Sequence, residues 1–83
     1  MYILQSKKDN NLYIGFTVNL RKRYIEHKQG NVYSTRNRQP LDLVYYESYK
    51  TEKEARHRES NLKLRANAYN QLKRRISDSL KNN

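Results

Sequence analysis

The chain has 83 residues, with 18 Lys and Arg against 8 Asp and Glu for a formal charge of +10, eight Tyr, two Gly, one Pro and no Cys. That length allows one small domain burying roughly 60–65% of its unfolded surface, and without Cys neither a disulfide framework nor a thiolate metal site can form. No apolar run approaches the roughly 18 residues of a membrane span and no secretory leader pattern opens the chain, so a soluble, cytoplasmic protein without a membrane partner is expected.

Leu, Ile, Val and Phe number only 17, at the edge of the range for disordered chains. The eight Tyr move the balance toward folding, because each brings a large ring with a polar tip. Residues 1–5 and 12–16 read as strands joined through the turn-rich KKDNN. Period two puts Met1 and Ile3 on one face of the first strand and Tyr2 and Leu4 on the other. In the second, Leu12, Ile14 and Phe16 share a face, and Tyr13 and Gly15 take the opposite one. Gly15 either leaves room for a group to approach beside Tyr13 or marks a turn or bulge.

Asn19 is a good N-cap for a helix LRKRYIEHKQ, which Gly30 terminates. Residues 30–40 read as a loop. Pro40 precedes a strand over 41–49, LDLVYYESY. The run T-E-K-E is a capping box, with Thr51 as N-cap and Glu54 at the third helical position, opening a helix to about residue 66. Tyr69, Leu72, Ile76 and Leu80 recur at spacings of three and four, so a last helical stretch either continues that helix or packs beside it. Residues 81–83 form a frayed tail. The sum, β-β-α-β-α-α, is an α/β (α+β) domain over 1–80, with three strands in an antiparallel or mixed sheet backed by helices.

Helical spacing also puts polar groups on inward faces. Ala55, Leu62, Ala66 and Tyr69 lie within roughly 40° of one direction on a wheel, and Glu59 falls in the same stripe. A core-side carboxylate needs a partner or a metal, and Lys63, four residues on, is in place for an ion pair. In the first helix Leu20, Tyr24 and His27 share a face, with Arg23 at its edge. Each has an ordinary reading: a packed histidine, a solvated arginine, a paired glutamate. Together, in so small a chain, they point to a functional site. The +10 charge points to a polyanion, nucleic acid being the commonest.

These residues carry a resemblance to the GIY-YIG endonuclease superfamily. Met1-Tyr2-Ile3 stands for its first motif, and Tyr13-Ile14-Gly15 matches the second, 11 residues on. The stretch NLRKRYIEH resembles the family's helix motif through Arg23 and His27. STRNRQPLDLVYYE and EARHRES are similar to later blocks of short bacterial members, with Glu59 at the place of a metal-binding glutamate. The resemblance covers about residues 1–65. The glycine of the first motif is absent, and neither Asn67 nor Asn70 has the spacing of the late Asn found in longer members.

The resemblance implies a three-stranded antiparallel sheet flanked by helices and a divalent-metal-dependent endonuclease that hydrolyses phosphodiester bonds in DNA, or RNA. Glu59 would hold one Mg²⁺ or Mn²⁺ and Arg23 would steady the phosphate. Tyr2 and Tyr13 would position or deprotonate the attacking water with His27 assisting; which group is the base stays open. Gly15 has a structural role in the second motif. Lys22, Lys28, Arg36, Arg38, Arg56, Arg58 and Lys63 are candidates to track the nucleic-acid backbone, a contact that carries no sequence readout, and Tyr33 is a candidate to stack on a base. Without an appended DNA-binding domain, the expected protein is structure- or single-strand-guided, as monomer or homodimer. A non-catalytic nucleic-acid-binding module is the alternative, and an RNA-binding protein with a structural Glu59–Lys63 pair a third. Repair, restriction and mobile-element roles are not distinguished.

Overall fold

Strand β1 (Tyr2–Ser6) is buried along its whole length, and its place in the sheet explains why. In the computed structural model, which describes residues 1–80, β2 (Leu12–Gly15) and β3 (Leu41–Tyr46) flank β1 in the order β2-β1-β3, both antiparallel to it. The expected frayed tail, 81–83, lies outside the described residues. A strand with neighbours on both edges and helices on both faces must be apolar on both. Ile3 and Leu4, side by side and pointing opposite ways, are both 0% exposed. Each contributes about 1.5–3 kcal/mol by burial.

The period-two expectation holds. On one face Met1 and Ile3 pack with Leu62, Leu72 and Ile76, joined by Leu12, Ile14, Val44 and Tyr45. On the other, Tyr2, Leu4 and Leu41 pack with Tyr13, Leu20, Tyr24 and Leu43. Helix α1 (Leu20–Lys28) covers the second face, while α2 (Glu52–Leu64) and α3 (Ala66–Arg75) cover the first.

The caps form as their residues dictate. Asn19 Oδ1 accepts from the Lys22 amide at 3.1 Å, and Gly30 ends the turn after α1 at φ +76°, a conformation open to glycine. Thr51 Oγ1 accepts from the Glu54 amide at 3.3 Å and donates to the Glu54 carboxylate at 2.7 Å. The loop before β3 contains a short 3₁₀ turn, Arg36–Arg38.

Of the two readings of the last helical stretch the second holds: Arg65 is extended (φ −121°, ψ 103°), and α3 begins anew and packs back through Leu72 and Ile76. Two expectations change. The break takes Ala66 off the core stripe, and it is exposed. Strand β3 stops at Tyr46, short of 49: Glu47 still exchanges backbone bonds with Met1, and Tyr49 then turns back to donate to the Glu47 carboxylate.

Candidate active site

Period two turns Tyr2 toward α1, and the ladder places it opposite Gly15. A Cβ on Gly15 would fall on Cζ and Oη of Tyr2. The space that Gly15 leaves is therefore filled by the Tyr2 ring itself. Tyr2 is 5% exposed, and its Oη lies 3.0 Å from His27 Nε2, with the two rings edge to face at 71°.

His27 is 4% exposed on the inward side of α1. Its other nitrogen, Nδ1, is 2.7 Å from Oγ1 of Thr35, itself 1% exposed. Burial lowers the His27 pKa, the Arg23 charge lowers it further, and Glu26 offsets part of this. The ring is therefore neutral at physiological pH. Arg23 stands one helical turn earlier, and the neighbouring Tyr2 hydroxyl is the main cause that raises its pKa. Its NH1 is also 3.5 Å from Glu26. A hydrogen-bonded chain thus runs from Tyr2 through His27 to Thr35, with Arg23 beside its Tyr2 end.

Tyr13 and Glu59 stand outside that chain. Tyr13 shares the Tyr2 face, opposite Leu4, and packs into the same apolar cluster. Glu59 lies on α2, across the sheet; its side chain is 21% exposed and accepts from Lys63 Nζ at 3.2 Å, the pair that i,i+4 spacing predicts. Glu59 also acts on the amino group of Met1: burial lowers that group's pKa, and Glu47 and Glu59 partly restore it. This brings Glu59 to the end of the sheet where β1 starts.

Among the described residues no three His, Cys, Asp or Glu side chains group as metal ligands. A single half-buried carboxylate fits a cation that keeps several waters and takes substrate phosphate oxygens for the rest, as Mg²⁺ does.

A cleft of about 330 Å³ opens where β1 begins and β2 and β3 end. Met1, Tyr2, Phe16, Leu20, Tyr46 and Ala55 are among the residues that line it. Of Tyr2, Tyr13, Arg23, His27 and Glu59, Tyr2 alone does so.

Several basic candidates carry intramolecular partners. Arg56 pairs with Glu52 at 2.8 Å and covers the Phe16 ring; Arg38 pairs with Asp9 at 3.5 Å. Arg58 grips Glu47 through Nε and NH2 at 3.0 and 3.2 Å. Lys28 lies over Tyr24, and Arg36 over Tyr33, which is 81% exposed instead of plugging the core. Lys22 is exposed and has no ion pair among the described residues. Sequence reasoning missed Thr35 and the Glu47 cluster. Both Thr35 and Glu47 lie in the STRNRQPLDLVYYE block that carries the resemblance, but no periodicity singles them out: Thr35 sits in a loop, and Glu47 and Arg58 are 11 residues apart on different elements.

The family model described as GIY-YIG catalytic domain matches residues 1–74. A UPF0213 protein of Clostridium perfringens is 44% identical over 64 residues, covering 76% of this chain and 68% of its own. UPF0213 proteins of Staphylococcus haemolyticus and Staphylococcus saprophyticus are each 39% identical over 64 residues, covering 76% of this chain and 77% of theirs. No solved structure matches the chain significantly.

Proposed function

The chain belongs to the GIY-YIG catalytic-domain family, and from that premise we propose that it is a divalent-metal-dependent endonuclease that hydrolyses phosphodiester bonds in DNA. The observation that carries this reading is the Tyr2–His27 hydrogen bond, with Arg23 beside it, at a cleft that Tyr2 lines. A bound Mg²⁺ or Mn²⁺, held by Glu59, would supply Lewis-acid stabilisation of charge on the phosphate oxygens.

The side chains do the remaining work. Arg23 offers a planar fork matched to phosphate oxygens, and its contact with Tyr2 keeps the two groups acting on one spot. Tyr2 presents a hydroxyl at the cleft for the attacking water, and neutral His27 holds that hydroxyl in place. Tyr13 is assigned to the same wall of the site on the strength of sharing the Tyr2 face. Exposed Lys22, with Arg36 stacked on the exposed ring of Tyr33, forms the first contact with the DNA backbone. Backbone contacts of this kind favour substrates chosen by shape or strandedness over sequence.

The test incubates protein with single-stranded, duplex and branched DNA, in Mg²⁺ or in EDTA, beside Glu59→Ala. We expect cleavage in Mg²⁺, none in EDTA, and at least roughly 100-fold slower cleavage by the variant. Equal cutting by both proteins, or no cutting with any divalent metal, sinks the nuclease reading. Metal-independent DNA binding with no cleavage would establish the binding-module alternative, with Glu59–Lys63 as an ordinary ion pair.

A further inference from the structure

The two nitrogens of His27 face different partners, Tyr2 Oη at 3.0 Å and Thr35 Oγ1 at 2.7 Å. In a neutral imidazole one nitrogen donates and the other accepts. Two arrangements therefore satisfy both contacts. In the first, Nδ1–H donates to Thr35 and the Tyr2 hydroxyl donates to Nε2. In the second, the Thr35 hydroxyl donates to Nδ1 and Nε2–H donates to Tyr2.

A count of hydroxyl protons separates them. Thr35 is 1% exposed, and among the described residues its hydroxyl has His27 as its single hydrogen-bond partner. If that hydroxyl accepted from Nδ1–H, its own proton would be buried without an acceptor, at a cost of roughly 1–3 kcal/mol. Donation to Nδ1 removes that cost at Thr35 and leaves the spare proton on Tyr2, which lines the cleft where Thr35 does not. The other end of the chain agrees. The Tyr2 oxygen has two acceptor sites, and Nε2–H fills one of them.

We propose that Thr35 is a positioning residue: by donating to Nδ1 it holds His27 as the Nε2–H tautomer, so that Tyr2 accepts from His27 and keeps its own hydroxyl proton for a group in the cleft. In the rejected arrangement that proton is consumed inside the protein, on Nε2, and the cleft meets no Tyr2 donor. The consequence for catalysis rests on the nuclease reading above. There the cleft-facing hydroxyl engages the attacking water or a phosphate oxygen. The tautomer itself does not rest on that reading.

The experiment records long-range proton–nitrogen correlations of the histidine rings in the ¹⁵N-labelled full chain at neutral pH, with no metal or DNA added. Exposed His57 serves as the reference ring. We expect His27 as a single neutral species, protonated on Nε2. Thr35→Val keeps the side-chain volume and removes the hydroxyl; it should lose that single species, and Thr35→Ser should restore it. In DNA cleavage, Thr35→Val should lower kcat roughly 10- to 100-fold with KM little changed, and Thr35→Ser should recover most of the loss. A wild-type ring protonated on Nδ1 overturns the proposal even if no variant folds. So does a Thr35→Val spectrum matching wild type. The expected tautomer in a protein that cleaves nothing supports the proposal and defeats the nuclease reading; the wrong tautomer in an active nuclease does the reverse.

Discussion

Two clusters built from tyrosine and arginine flank the cleft on opposite faces of the sheet, and they end differently. On the α1 face Tyr2, His27 and Thr35 form a chain with no carboxylate among its links, and it reaches the cleft at Tyr2, with Arg23 alongside. On the α2 face Tyr45, Tyr49 and Arg58 all donate to one carboxylate, Glu47. Burial pushes the Glu47 carboxyl up, but hydrogen bonds from Tyr49, Tyr45 and Arg58 together outweigh it and hold the pKa below the usual range. The second cluster is closed, with its donors spent on an internal acceptor. It ties the segment after β3 to α2. The first is open, with a neutral histidine at its centre and a hydroxyl at its mouth. The same residue types thus close on a half-buried charge in one cluster and reach the cleft in the other.

The sharpest way to break that contrast is to exchange the two phenotypes. Tyr2→Phe should cut kcat by about 100-fold or more while costing about 1 kcal/mol of stability. Glu47→Gln should do the opposite, lowering stability by roughly 1–3 kcal/mol and leaving kcat of the folded fraction unchanged. Steady-state cleavage and urea unfolding on both variants decide it. A stable Glu47→Gln protein without activity would erase the distinction between the clusters.

Gly15→Ala probes the open cluster from outside. The new methyl must displace the Tyr2 ring from its place over Gly15, and therefore from His27. Overpacking should cost roughly 1–3 kcal/mol, and the misplaced hydroxyl should lower kcat roughly 10- to 100-fold. In the Tyr2→Phe background the kcat penalty should vanish, because both changes act through one group. Additive penalties would show that Gly15 acts elsewhere.

The smallest effect lies in the closed cluster at high pH. Burial, and then the bond to Glu47, push the Tyr49 phenol up to about 12, and Tyr45 shifts the same way. Their pKa values are raised in the folded state, so the contribution is complete below pH 10, where unfolded tyrosines begin to ionise. It is lost as pH rises through the folded values. Phenolate absorbance should show a late-titrating class in wild type that moves back toward 10 in Glu47→Gln. Identical titration curves would mean that the cluster does not hold together in solution.

Short-range features were legible in the chain. The Asn19 and Thr51 caps, the turn at Gly30, the alternation of Met1–Leu4 and the Glu59–Lys63 pair each depend on residues within four positions of one another. Arg23 and His27 were legible as polar groups on an inward face, and they do meet Tyr2. What they meet beyond it was not. Thr35 reaches His27 because the loop after α1 folds back over the helix, and no periodicity marks a loop residue. Arg65 breaks α2 from α3 although its neighbours read as helix, since packing Leu72 and Ile76 against Leu62 outweighs local propensity.

By itself, the sequence determined which side chains of β1 and α1 face inward, where α1 and α2 start, and which family the chain resembles, because period, capping and motif spacing are local. Tertiary structure decided that the gap at Gly15 is filled by Tyr2, that Arg58 serves Glu47, and that His27 stands between a phenol and a buried hydroxyl. Those outcomes depend on contacts across the sheet and between elements far apart in the chain. They are settled by the requirement that every buried donor and acceptor find a partner once the strands have paired.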